Sequence, residues 1–282
     1  MRKRFAFFAG ILLVAAASAS AGVSVRLTGG LGYVLQGDYG RSLRGAYDAL
    51  LASTENLEGD FHPFGAGLRG GLEVIVPIGD SFEIGLGAGY ERLNVDNRFR
   101  YFWLFVTLED AIESRLTVIP ITLNAHKSIP LGPRLGLDLF GGPGYYSIEF
   151  RHRQSLGTDF FAFADSREFS SRMATIGFQA GAALEWSLGS GLELVVQADG
   201  RLLRFRELKG ELTDTTSWFL GQNVDRTQDA LLWVYDETVG TRIILRGAFA
   251  GSQPAVSSTG NVRAAGLDLS GFGISAGLRL RF

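Results

Sequence analysis

The chain has 282 residues, a formal net charge of −2 and no cysteine. The balanced charge gives no electrostatic pull toward nucleic acid. The lack of thiols excludes disulfides, thiolate metal sites, a cysteine nucleophile and a lipidated cysteine. Hydrophobic residues make up 46% and glycine is high at 38 residues, against a usual share of ~7%. That composition suits closely packed strand interiors and tight turns.

Arg2, Lys3 and Arg4 precede an apolar run from Phe5 to Ala17, and Ala19-Ser20-Ala21 has the small-x-small form of a cleavage site. This pattern predicts an exported chain with a signal peptide over 1–21 and a mature start at Gly22. A helical membrane span needs ~20 apolar residues, and no run in the chain reaches that. Membrane insertion would therefore have to use strands. The remainder, 22–282, is expected to form one barrel domain.

Val23 to Tyr33 alternates, with Val23, Val25, Leu27, Leu31 and Tyr33 on one face and Ser24, Arg26, Thr28, Gly30 and Gly32 on the other. Period-two alternation of this kind predicts a strand. Residues 36–62 read as a polar loop with a short helix near Arg41 to Ala52, where Leu43, Tyr47, Leu50 and Leu51 fit helical spacing. It is expected either to cap the barrel mouth or to be a locally ordered loop, with a membrane-surface role as the alternative. Strands follow at Gly65–Ile78 and Phe82–Asn94, joined by a tight turn at Gly79-Asp80-Ser81. Residues 95–113 read as an aromatic-rich loop.

Further strands are expected at Ser114–Ser128 and from Arg134 through Tyr146, joined by a short turn at Pro130–Pro133. After a loop over 152–170, strands are expected at Met173–Leu188 and from Leu192 to Leu202, joined at Gly189-Ser190-Gly191. Residues 211–260 read as a long loop. Within it, 231–235 and 241–249 are expected to pair as an outer hairpin; as membrane strands they would raise the strand count to ten.

The last strand runs from Gly271 to Phe282. Phe272, Ile274, Ala276, Leu278, Leu280 and Phe282 share one face, with Gly271, Gly273, Ser275, Gly277, Arg279 and Arg281 on the other. Its alternation and aromatic end resemble the closing strand of bacterial outer-membrane β-barrels. That resemblance implies that Leu278, Leu280 and Phe282 act as the signal read by the barrel-assembly machinery. The stretches IPITLN, from Ile119, and LDLFGGPGYY, from Leu137, resemble the pattern in small outer-membrane barrel families, the OmpX-like and opacity-type proteins. The resemblance implies fold and outer-membrane location, with no specific activity.

The connections alternate short and long, as they do in transmembrane barrels with short periplasmic turns and longer outer loops. The expected fold class is an all-β, eight-stranded antiparallel transmembrane barrel with long extracellular loops. Closure has a strict cause: in lipid every backbone N–H and C=O must pair, so no sheet edge can be left open.

Gly65 to Gly70 matches G-x-G-x-x-G but lies inside a strand pattern and opens no helix, so it does not fit a dinucleotide site. His62, His126 and His152 lack ligand spacing, and no metal site or cofactor is expected. His126-Lys127-Ser128 resembles the His-x-Ser pair of outer-membrane lipid A deacylases, which would make His126 the base and Ser128 the nucleophile. It sits beside a short turn, at the wrong end for the outer leaflet. A lumen histidine and a turn serine are the favoured reading.

The inward phase of the strands carries Arg26, Arg69, Glu73, Glu83, Glu91, Asp138, Glu185, Glu193, Asp199, Arg201, Arg279 and Arg281. An eight-stranded barrel has an interior just wide enough for side chains to fill. The expected lumen network is Arg69, Glu73, Glu83, Asp138, Glu185, Asp199, Arg201, Arg279 and Arg281. Within it Arg69, Arg201, Arg279 and Arg281 pair with Glu73, Glu83, Glu185 and Asp199. These observations favour a non-enzymatic, monomeric integral protein with a structural or surface-interaction role through its outer loops. Its expected partners are outer-membrane lipid, lipopolysaccharide and an extracellular ligand. A narrow pore or side-opening path for small apolar solutes is the alternative, and a lipid-modifying enzyme comes third.

Overall fold

A computed structural model describes residues 22–282 apart from 36, 55, 64, 104–105, 159–163, 218–222, 240–241 and 255–260. The expected signal peptide lies outside the described residues. The barrel strands are β1 (Ser24–Val34), β2 (Ala66–Pro77), β3 (Phe82–Trp103), β4 (Val106–Pro130), β5 (Leu135–Thr158), β6 (Ala164–Gly189), β7 (Leu192–Leu202) and, last in the chain, β14 (Gly271–Arg281). Each pairs antiparallel with the next, β7 pairs β14, and β14 returns to β1, so eight strands close a ring. Between them the chain forms β8 (Arg204–Phe205), β9 (Lys209–Ser217), β10 (Asn223–Val239), β11 (Arg242–Ala250), β12 (Arg263–Ala264) and β13 (Leu267–Asp268).

Around the ring the outward positions are apolar and exposed, including Leu27, Leu68, Leu86, Leu123, Leu139, Ile176, Val196 and Ile274. Phe82, Trp186 and Phe282 mark one edge of this belt, and Tyr33, Tyr90, Tyr145 and Phe272 the other. Tyr33 and Phe272 stack across the β1–β14 seam with ring centres 5.4 Å apart. An apolar belt between two aromatic girdles is how a barrel meets a bilayer.

At one end the turns are short. Ile78 N–H donates to Phe82 O at 2.9 Å, and Leu131 N–H to Leu135 O at 2.9 Å. Gly189, Ser190 and Gly191 all have positive φ, and a Cβ on Gly191 would strike Arg281 O, so glycine is required there.

At the other end the structure departs from the sequence reading. The expected loops 95–113, 152–170 and 211–260 are largely strand. β3 to β6 continue beyond the belt as two long hairpins, and β9, β10 and β11 extend that sheet from β6. The alternation persists there with its polarity reversed. Inside the belt β4 faces outward with Ile121 and Leu123 and inward with Thr122, Asn124 and His126; further along it faces outward with Glu113 and Arg115 and inward with Ile112, Leu116 and Val118. Lipid lies outside the first stretch and water outside the second, so the apolar face changes sides. β10 and β11 pair from Leu231↔Ala250 to Val239↔Arg242, outside the eight-strand ring.

The helix α1 (Gly37–Ser53) starts earlier than expected and buries Tyr39, Leu43 and Ala49, while Leu51 is exposed. It packs on β11, where Gly45 lets the helix backbone touch Leu245 O; any Cβ there would collide. Asp38 in its first turn is held by Arg263 at 2.5 and 2.8 Å. That hydrogen bond holds its carboxyl below the usual range despite partial burial. α1 and the extended strands enclose an apolar core containing Phe99, Ile112, Phe150, Phe169, Leu212, Leu232 and Val234.

Single cysteines at Ser81 and Ser190, on the short-turn end, and at Gly157, on the long-strand end, test which end faces the medium. An impermeant maleimide on intact cells is expected to label Gly157→Cys only. Strong labelling at position 81 would invert the orientation.

Candidate functional site

The inward phase of the belt alternates charge with glycine, and the glycines make room for extended side chains. A Cβ at Gly273 would overlap the Arg69 guanidinium, and one at Gly85 would meet Glu73 and His126. The charges form two tiers.

In the tier nearest the short turns, Arg26 and Arg279 are directly paired positions on β1 and β14. Like charges placed opposite repel. Here Glu185 Oε1 accepts from both, at 2.6 Å from Arg26 and 3.0 Å from Arg279. Arg26 also donates to Asp138 at 2.6 Å, and Arg279 to Glu83 at 2.6 and 2.7 Å and to Ser24 Oγ at 2.9 Å. Arg281 meets Glu193 at 2.9 Å and Glu185 at 3.5 Å. Glu73 is 3.7 Å from Arg26, 3.1 Å from His126 and receives Asn124 Nδ2 at 2.7 Å.

In the tier nearer the long strands, Arg69 reaches Asp199 at 2.8 Å. Arg201 pairs with Glu91 through both terminal nitrogens and donates to Leu269 O at 2.8 Å. The expected network residues thus face one lumen. The partners of Arg201 and Glu73 differ from the expected pairing, and Arg26, Glu91, Glu193 and His126 join them. All four are inward by strand phase. No sequence signal gives the heights that bring them together.

His126 Nδ1 lies 2.9 Å from Asp138 and its other nitrogen faces Glu73, while Ser128 Oγ has no hydrogen-bond partner among the described residues. The His-x-Ser resemblance therefore finds no hydrogen-bonded pair here. Leu278, Leu280 and Phe282 lie on the outward face, exposed, and Phe282 N–H donates to Val23 O at 2.9 Å.

Among the lumen side chains lies a cavity of about 80 Å3, lined by Arg26, Arg69, Glu73, Glu91, Asp199 and Arg201. Above it lies a layer of fully buried apolar side chains: Leu203, Leu208, Leu267 and Leu269 from the connecting segments, against Leu93, Leu116, Tyr146 and Ile148 of the wall. The connecting segments are tied in by backbone bonds, Leu208 N–H to Ala265 O at 3.0 Å and Leu269 N–H to Leu203 O at 2.8 Å.

Beyond this layer a second polar cluster sits in the apolar core, and sequence reasoning did not foresee it. Tyr39 OH lies 2.6 Å from Ser114 Oγ and 2.9 Å from His152 Nδ1, with Ser114 Oγ 3.0 Å from the same nitrogen. Burial raises the Tyr39 phenol and lowers His152 to about 4. Such a weak base is poorly suited to activating a serine at neutral pH; the cluster satisfies buried polar groups.

Two variants test these arrangements. Arg279→Ala leaves Glu83 buried without its arginine, while Glu185 keeps Arg26; an orphaned buried charge typically costs ~3–5 kcal/mol. Its urea midpoint, read from the heat-modifiable band, is expected to fall well below that of Leu278→Ala. Equal midpoints would contradict the buried network. For His152 the folded pKa lies below the unfolded value, so its contribution is full above pH 6.5. It is lost as pH falls toward about 4, because the unfolded chain binds a proton the folded chain does not. The loss is on the order of 3 kcal/mol. His152→Gln is expected to flatten that slope in urea unfolding followed by tryptophan fluorescence; an unchanged slope would refute the assignment.

No protein-family model and no curated relative matches the chain. Among solved structures it is similar to a major outer membrane protein from Thermus thermophilus, at 12% identity and TM-score 0.39, covering 92% of this chain and 99% of that one. OprG from Pseudomonas aeruginosa gives 10% identity and TM-score 0.41 over 93% and 96%. AlkL, solved in lipid bilayers, gives 11% identity and TM-score 0.31 over 93% and 90%. The membrane assignment rests on this chain's own ring and belt: closed, antiparallel and apolar outward, it is an eight-stranded β-barrel of the outer membrane.

Proposed function

We propose that the barrel is a closed anchor and that the folded domain beyond the belt is the working part, facing the medium and meeting a ligand or partner there without catalysing a reaction. The observation that carries this reading is the lumen. Paired charges fill it around a cavity of about 80 Å3, and an apolar layer packs beyond them. A solute channel needs an open, wetted path, and in barrels that comes with more strands. Outer-membrane lipid and lipopolysaccharide would surround the belt, and the barrel-assembly machinery would read the segment ending in Leu278, Leu280 and Phe282.

The test is single-channel recording of the purified full chain in planar bilayers. At most rare, small conductance steps are expected. A steady, large conductance would overturn the closed-anchor reading in favour of a pore.

A further inference from the structure

Between α1 and the inward faces of the extended strands lies a cavity of about 350 Å3, within the size range of small-molecule sites. Leu43, Leu50, Phe99 and Phe249 supply apolar wall. One wall also carries a carboxyl group. Asp110 is only 6% exposed, on the inward phase of β4, paired in register with Phe99 and Leu156. The next inward positions along β4 include Ile112, Leu116 and Val118, so a carboxylate here runs against its own face.

Its hydrogen bonds come from Gln154 Nε2, at 3.1 and 3.2 Å. Among the described residues no cation forms an ion pair with it. Two arginines line the same cavity, but Arg167 is engaged with Asp214 at 3.2 Å and Arg246 with Glu237 at 3.1 Å. The uncompensated charge in this chamber is therefore negative. Buried carboxyls are costly unless paired, and a neutral residue could bond Gln154 without that cost. A cavity with an apolar body and one convergent polar group is the usual form of a ligand site.

We propose that this cavity binds a small amphipathic molecule with a hydrogen-bond-donating head, an ammonium in preference to a hydroxyl, held by Asp110 while its apolar body lies among Leu43, Leu50, Phe99 and Phe249. The proposal rests on the reading of the domain beyond the belt as the working part. Molecules with an anionic head are disfavoured, because the arginines that would receive them are already paired.

The test uses the full chain in lipid nanodiscs, titrated calorimetrically with 2-phenylethylamine, 2-phenylethanol and 3-phenylpropionate. The expected order of affinity is amine, alcohol, carboxylate. Asp110→Asn is expected to weaken the amine roughly tenfold or more and the alcohol far less, as befits loss of a charged hydrogen bond. Ala46→Leu, which fills the cavity from α1, is expected to weaken both. Heat-modifiable mobility and tryptophan fluorescence report that each variant is folded. Carboxylate binding as tight as the amine, amine binding indifferent to Asp110→Asn, or no binding by folded wild type would each overturn the proposal. A conducting barrel that still binds the amine through Asp110 would reject the closed anchor and uphold this site. A closed barrel that binds none of the three would reject this site alone.

Discussion

Two arginines face each other across the seam where the ring closes, and one glutamate stands between them. Arg26 and Arg279 are paired positions on β1 and β14, and Glu185 reaches both from β6, two strands along the wall from β14. In a lumen this narrow, charge meets charge across the barrel because there is little water to meet instead. Glu83 from β3 and Asp138 from β5 complete the set, so separate parts of the wall are tied to the seam. The glycines opposite the long side chains follow from the same constraint: a Cβ at Gly273 or Gly85 would occupy the space an arginine or a glutamate needs.

The second organising feature is the reversal of polarity along β3 to β6. A strand has two faces, and the solvent on each decides which residues it carries. Within the bilayer the outer face meets hydrocarbon and the inner face meets polar partners. Past the girdle the outer face meets water, and the inner face has a protein core to build with α1 and β9 to β11. The same four strands therefore serve two oppositely patterned sheets without a linker between them.

That reversal explains what was legible in the sequence. The eight belt strands could be read because apolar residues alternate outward over each, from Leu27 and Leu31 to Ile274 and Leu278. The extensions read as loops because the apolar outer face, which marks a membrane strand, ends near Tyr90, Ile119 and Tyr145. Yet Leu93 and Phe99 alternate with Arg92, Arg98 and Arg100, and Ile112 and Leu116 with Glu113 and Arg115, so the signal was present with its sign inverted. For the lumen, strand phase tells which residues face inward. It does not give their height, which depends on the stagger between neighbouring strands. So Arg201 lies level with Glu91, and Glu73 with His126, a relation no single strand contains. The cluster of Tyr39, Ser114 and His152 draws on three distant segments and has no local motif at all.

The seam also bears on how the chain reaches this state. Arg279 and Ser24, hydrogen-bonded across it, are 255 residues apart in sequence, whereas the β3–β4 and β5–β6 hairpins join neighbours. Loop-closure entropy favours local hairpins early and leaves the longest loop to close late. Until it closes, Arg26 and Arg279 lack each other's register, and Glu185 has neither seam arginine fixed before it. The contacts that neutralise the interior thus come together in the step that removes the last open edge. A ring joined one residue out of register at the seam would turn the arginine of the slipped strand toward lipid and leave the other without its shared glutamate geometry, so electrostatics penalises the misjoined barrel at the position where zippering ends.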